Sequence, residues 1–183
     1  FVENFLAGLK FVYGHRLILP LVVTVFLHCC LTMSFESILP VLAEEFFKDG
    51  GLVATYLMMA VGTGALIFVL CVAVIRDMKK RGNFLFTAAA LSGLGPIILG
   101  IADNSVIALV GCFLMGAAQA SFMAIAGAVV QTSSPDAIRG RVMSVYLWHI
   151  GGMMATFNWI NAAITDSFGP SPVLIISGTA FMG

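Results

Sequence analysis

Long uninterrupted apolar runs, divided by short polar stretches, dominate the chain. Six stand out, at about 17–42, 52–75, 84–102, 106–130, 142–164 and 170–183. At a rise of ~1.5 Å per residue, about 20 helical residues cross a ~30 Å hydrocarbon layer. The first five runs reach that length, and the sixth stops at about half a span. Membrane barrels carry short stretches of alternating polarity, whereas these runs are continuous. Backbone inside lipid must satisfy its own hydrogen bonds, so runs of this length form helices. The pattern predicts an all-α membrane protein, a six-helix transmembrane bundle.

Residues 1–16 precede the first run and form a separate segment, with the bundle occupying 17–183. Phe1, Phe5, Leu9 and Val12 recur at helical spacing, with Glu3, Asn4 and Lys10 elsewhere. That spacing suits an amphipathic helix lying along the membrane interface, although an ordinary linker fits it too. Within the runs, Gly116, Ala120, Ala124 and Ala128 follow one another in steps of four, and Ala60 and Gly64 do the same. Small residues on one face let helices approach closely. Pro96 removes a backbone donor and is expected to loosen the third helix near its end.

Composition agrees with the pattern. The 183 residues are 60% hydrophobic and 10% charged, more apolar surface than a water-soluble domain of this size can hide. Net charge is zero, which gives no bulk attraction to nucleic acid. If residues 1–16 are cytoplasmic and the runs alternate, Lys10, Arg16, Arg76, Lys79, Lys80, Arg81, Arg139 and Arg141 share one side and only Lys48 lies on the other. This partition follows the positive-inside rule. It places 1–16, 76–83 and 131–141 in the cytoplasm of a multi-pass cell (inner) membrane protein. Cys29, Cys30, Cys71 and Cys112 all lie in apolar runs without a C-x-x-C pair, so neither a metal site nor a disulfide framework is suggested.

The first run holds the leading candidates for chemistry. Thr24, His28, Thr32 and Glu36 are spaced by four, each turned only ~40° from the last on an α-helix. Ionisable groups at membrane depth are costly and mark ion or substrate paths, which makes His28 and Glu36 candidates for proton coupling. The plainer alternatives are a neutral histidine bonded to a neighbouring helix and a solvated carboxylate near the interface. Thr24, Thr32, Gln119, His149, Thr156 and Asn158 are candidates to line a substrate cavity. Trp148 and Trp159 suit either stacking on a flat or cationic ligand or packing at the interface. The charges Arg76, Asp77, Arg81, Asp136, Arg139 and Arg141 serve either as topology and headgroup contacts or as a cytoplasmic gate closed by salt bridges.

Three stretches carry a family likeness: Glu3 to Leu19 (E-N-F-L-A-G-L-K-F-V-Y-G-H-R-L-I-L), Ser134 to Tyr146 (S-P-D-A-I-R-G-R-V-M-S-V-Y) and Ile164 to Pro170 (I-T-D-S-F-G-P). Together they resemble the C-terminal six-helix half of a major facilitator superfamily transporter, closest to siderophore and multidrug exporters. The loop I-R-D-M-K-K-R-G keeps the family's acidic and basic residues at Asp77 and after it, but its glycine falls late, at Gly82. Asn161 stands where relatives often carry glycine.

The resemblance implies half of a twelve-helix fold, built as two inverted three-helix repeats, with a further N-terminal half as partner. It implies alternating access for a small-molecule substrate without a cofactor. The leading expectation is proton-coupled export, and few fixed charges in the runs favour amphipathic compounds as cargo over sugars or highly charged metabolites. A membrane-embedded enzyme and a non-transporting scaffold subunit are the alternatives. Neither H-E-x-x-H nor G-x-S-x-G occurs, which weighs against the enzyme. Membrane lipid is the remaining partner.

Overall fold

A computed structural model describes residues 2–46, 50–74 and 78–183, with side chains also left undescribed at 2–4, 46, 50 and 78–81. The described chain is helical throughout: α1 (Val2–Gly14), α2 (Ile18–His28) continued by a π-helical turn (Cys29–Met33), α3 (Leu39–Phe46), α4 (Gly50–Val74), α5 (Met78–Gly100), α6 (Ser105–Thr132), α7 (Arg139–Phe168) and α8 (Pro170–Met182). Local sequence sets several ends. Asn104 caps α6, its side-chain oxygen accepting from the amides of Val106 and Ile107 at 3.0 Å each, as an N-cap asparagine does. Gly169, at φ 80°, separates α7 from α8, a backbone conformation that costs glycine little, and Pro170 then starts α8 where its missing amide is harmless.

The fold is that of an all-α membrane protein. Among the described residues three helices are long and apolar enough to cross a membrane, Gly51–Val74, Gly82–Gly100 and Ser105–Thr132, and a fourth qualifies if the bent pair Phe5–Gly14 and Ile18–Met33 counts as one span. The expected fifth and sixth crossings fall on α7 and α8. At 30 residues α7 is long, but its histidine, asparagines and tryptophans lower its hydropathy, and α8 has 13 residues. Pro96 lies inside α5 without ending it.

Close helix crossings rest on glycine. A Cβ on Gly64 would strike the backbone of Phe113, and one on Gly116 would strike that of Val61, so α4 and α6 meet backbone to backbone. Between α5 and α8 a Cβ on Gly178 would strike the Gly93 carbonyl, whereas one on Gly93 would first meet the side chain of Met182. The small-residue face read in the fourth run is thus used, at Gly116, by the second. On the other side α1 turns 104° from the first span and lies on α7, where a Cβ on Gly8 would come 2.7 Å from the carbonyl oxygen of Arg141.

Neighbours pair in a regular way. α4 lies on α6, while α7 lies on α2 and the π turn; α5 lies on α6, while α8 lies on the π turn and α3; and α5 meets α8. Exchanging the first three runs with the last three maps these pairs onto one another, although the α7–α8 contact has no α4–α5 counterpart of like extent among the described residues.

The first run departs most from expectation. Instead of one helix over 17–42, the α-helix becomes a π turn at Cys29, leaves helical geometry at Ser34 (φ −83°, ψ 40°) and resumes at Leu39. Pro40 supplies the reason: its ring would collide with the carbonyl of Glu36 in a straight helix, and it has no amide to donate. The hydroxyls of Thr32 and Ser34 also bond back to the carbonyls of His28 and Cys30, contacts that bend helices.

Candidate functional site

Two apolar clusters fill the bundle. One gathers Val25, Cys29, Ala88, Phe122 and Ala126, among others. The other gathers Phe35, Leu99, Cys112 and Met115, among others. Between the clusters, α2 with its π turn, α5 and α6 contribute polar side chains: His28 and Thr32, Ser92, and Gln119. All four are buried, and Gln119 stands at the middle of α6.

These side chains form one network. The Thr32 hydroxyl donates to the His28 carbonyl at 2.9 Å, and its oxygen lies 2.9 Å from His28 Nδ1. The hydroxyl of Ser92 donates to Thr32 Oγ1 at 3.1 Å and lies 3.2 Å from the same imidazole nitrogen. Gln119 donates from Nε2 to the Thr32 carbonyl at 2.7 Å, taking up a backbone acceptor in the π turn. With the Thr32 hydroxyl committed to a carbonyl, an Nδ1–H on His28 completes the contacts. Nε2 then carries a lone pair, and it has no hydrogen-bond partner among the described residues. An unmet acceptor is tolerated better than an unmet N–H, which favours this tautomer. The ring lies between Phe122 and Phe181, with centroids 4.5 and 5.3 Å away.

A second polar group holds the bend in the first run. Asn161 donates from Nδ2 to the carbonyl and hydroxyl oxygens of Ser34 at 2.7 and 2.8 Å. Asn158 accepts the Ser37 amide on Oδ1 at 3.4 Å, and its own carbonyl accepts the Ser37 hydroxyl at 3.0 Å.

A third site is aromatic. Tyr13, Val22, Phe26 and His149 line a cavity of about 250 Å³ between α1, α2 and α7. His149 Nδ1 lies 2.8 Å from the Val145 carbonyl and donates to it. Nε2 is thereby the acceptor for the Tyr13 hydroxyl at 3.4 Å. Trp148 stands edge-on to the imidazole.

The sequence candidates therefore separate. His28, Thr32 and Gln119 meet at mid-bundle, His149 joins Tyr13, and Asn158 joins the bend. Thr24 bonds back to the Pro20 carbonyl at 2.8 Å and borders an opening beside Phe86 and Phe181. Thr156 is exposed and bonded to its own helix at Gly152. Glu36 sits exposed in the bend; the break carries it off the line through Thr24, His28 and Thr32. Of the charged candidates, Asp136 pairs with Arg139, which also donates to the carbonyls of Gln131 and Ser134 at 3.0 and 3.4 Å. These contacts close the α6–α7 loop on itself. Arg141 is exposed near Gly8. Arg76 and Asp77, and the side chain of Arg81, lie outside the described residues.

Residues 1–182 match the model of a family described as transmembrane secretion effectors, of the major facilitator type. The chain belongs to that family. No curated protein and no solved structure matches it at a significant level. Membership points to a transporter of major facilitator type.

In this transmembrane secretion effector the structure brings into the polar groups Ser92, Ser34, Ser37 and Asn161, none of which the sequence singled out as a site residue. Serines are common in membrane helices, but Ser92 falls in the middle of an apolar run, the one signal that pointed to it. Asn161 was conspicuous only as a departure from glycine.

Proposed function

We propose that this transmembrane secretion effector is a secondary active transporter that moves a small amphipathic organic solute by alternating access, coupled to protons and in the direction of export. In this reading six helices cross the cell membrane, with residues 1–16 and the basic loops 76–83 and 131–141 in the cytoplasm, and a further six-helix half completes the cavity. The symmetric pairing of the two helix triplets supports it, since inverted repeats would give that scheme.

The observation that carries the coupling is the His28 network: an ionisable ring at mid-bundle, held on one nitrogen by hydroxyls and without a hydrogen-bond partner on the other among the described residues. Such a residue within the membrane is a candidate proton relay. In this reading the Nε2 lone pair takes a proton when the cavity opens to one side and releases it on the other. Glu36, exposed at the bend, is the second proton site. Thr24, Thr32, Gln119, His149, Thr156 and Asn158 serve the cavity, and the pocket of Tyr13, Phe26 and His149, apolar with one polar corner, suits the aromatic part of an amphipathic cargo. Arg76, Asp77, Arg81, Asp136, Arg139 and Arg141 are the gate candidates.

The test is the full-length protein in sealed vesicles loaded with a pH-sensitive dye and challenged with a broad panel of amphipathic compounds. Cargo-dependent proton movement is expected. No proton movement with any compound, from a protein that is folded and inserted, overturns the coupling.

A further inference from the structure

Asn161 spends only half of its amide on Ser34. The Ser34 hydroxyl gives its hydrogen to the Cys30 carbonyl, so both Ser34 oxygens that face Asn161 are acceptors, and the amide atom bonded to them is the Nδ2 donor. That fixes the amide and turns Oδ1 away from Ser34. Asn161 is 6% exposed, and its Oδ1 has no hydrogen-bond partner among the described residues. Unlike His28 Nε2 and the hydroxyls of Tyr146 and Thr165, this oxygen is not sealed off. Asn161 forms part of the wall of an open-sided cavity of about 380 Å³ between the π turn, α7 and α8. The rest of that wall is mostly apolar and aromatic, with Leu31, Phe157, Phe168 and Ile176 beside the Ser177 hydroxyl. Among the described residues no charged side chain borders it.

We propose that this cavity binds small uncharged aromatic molecules that carry one hydroxyl or N–H, and that they donate this hydrogen to Asn161 Oδ1. Its volume falls within the ~300–1,000 Å³ of small-molecule sites, which pair apolar walls with a few fixed polar groups. A charged guest would lose its water without finding a counter-ion. A lipid chain fills the space but leaves Oδ1 covered and unmatched, a cost that a guest with a donor avoids. Phe157 and Phe168 offer ring faces and edges to an aromatic body. Phe168 and Ile176 at the rim are exposed, so the mouth is apolar and suits a guest dissolved in hydrocarbon. The site is separate from the pocket of Tyr13 and His149 on α1, α2 and α7. That the guest is also cargo rests on the transport reading above; its binding does not.

The experiment photolabels the full-length protein in lipid nanodiscs with a trifluoromethyldiazirinyl benzyl alcohol or with its methyl ether, and mass spectrometry maps the labelled residues. The probes share one apolar body, and only the alcohol can donate. The alcohol is expected to label Phe157, Phe168 and their neighbours saturably. The ether is expected to need about tenfold more for half-saturation, the scale of one buried hydrogen bond. Ile176→Trp, at the exposed rim, blocks both probes. Asn161→Leu brings the two to equal half-saturation, whereas a merely structural asparagine leaves their ratio unchanged. Where Asn161→Leu does not fold, the probe pair and Ile176→Trp decide the matter without it. Equal half-saturation of the parent by both probes overturns the site, because the crevice then takes any hydrocarbon, lipid chains included. Labelling that never saturates, or that spreads over the apolar surface, overturns it too. Saturable alcohol labelling without proton movement in the vesicle assay leaves the site standing and removes the coupling. Proton movement by a parent whose cavity takes up neither probe does the reverse.

Discussion

Gly64 and Gly116 seat the α4–α6 crossing from its two sides, Gly64 against the backbone of Phe113 and Gly116 against that of Val61, so each has the opposite helix's backbone where its own Cβ would stand. Neither position has a flexible side chain that could yield, so a larger residue must push the helices apart. We predict that Gly64→Leu and Gly116→Leu each destabilise the fold by at least the ~1–3 kcal/mol typical of overpacking. Thermal unfolding in detergent, followed by size-exclusion chromatography, measures this. Parent-like melting of either variant contradicts the crossing.

His28 is predicted to matter for coupling more than for folding. His28→Gln keeps a polar group beside Thr32 and Ser92 but removes the titratable lone pair. Insertion and melting stay near the parent, while cargo-driven proton movement falls on the order of a hundredfold, the scale of a lost proton-transfer group. Undiminished proton flux in this variant removes His28 from the mechanism.

Asn104 supports the start of α6 through the amides of Val106 and Ile107. Asn104→Ala is expected to cost ~0.5–2 kcal/mol, and Asn104→Asp to recover most of it. Hydrogen exchange at those two amides reads the effect locally, and equal protection in the parent and Asn104→Ala refutes the cap.

Gly8 marks the contact of α1 with α7 through the Arg141 carbonyl and Val145. Gly8→Val is predicted to lift α1 from α7, lengthening the separation of Phe5 and Trp148, whose ring centroids now lie 6.1 Å apart. Tryptophan emission of a variant in which Trp159 and any tryptophan outside this chain are replaced by phenylalanine reports on Trp148 alone. A red shift on Gly8→Val is the expected result, and an unchanged spectrum speaks against the docking.

Much of this architecture was legible in the chain because lipid and glycine impose rules that can be read one residue at a time. The apolar run from Leu52 to Ile75 corresponds to α4 at Gly50–Val74. The four-residue steps at Gly64 and Gly116 marked a crossing that exists. What the pattern hid was the break near Ser34. Hydropathy does not register it, and Pro40, its principal cause, lies six residues downstream within the same apolar run. The candidate stripe from Thr24 to Glu36 assumed ideal helical rotation and dissolved where that rotation ended. His28 and Thr32 kept their relation because they precede the break; their partners Ser92 and Gln119 come from distant helices, which spacing within one run cannot reveal.

The glycine crossings described above also divide the molecule mechanically. Because α4 is keyed into α6 and α5 into α8, with α6 seated against α5, these four helices behave as a single stiff chassis. Bending one would mean forcing main chain through main chain. The other edge is joined differently: α7 reaches the break in the first run through Asn158 and Asn161, beside the open space next to the π turn, while α3 itself is seated on α4. A motion that exposes one side of the membrane and then the other would draw on that edge, with the chassis carried along as a rigid body.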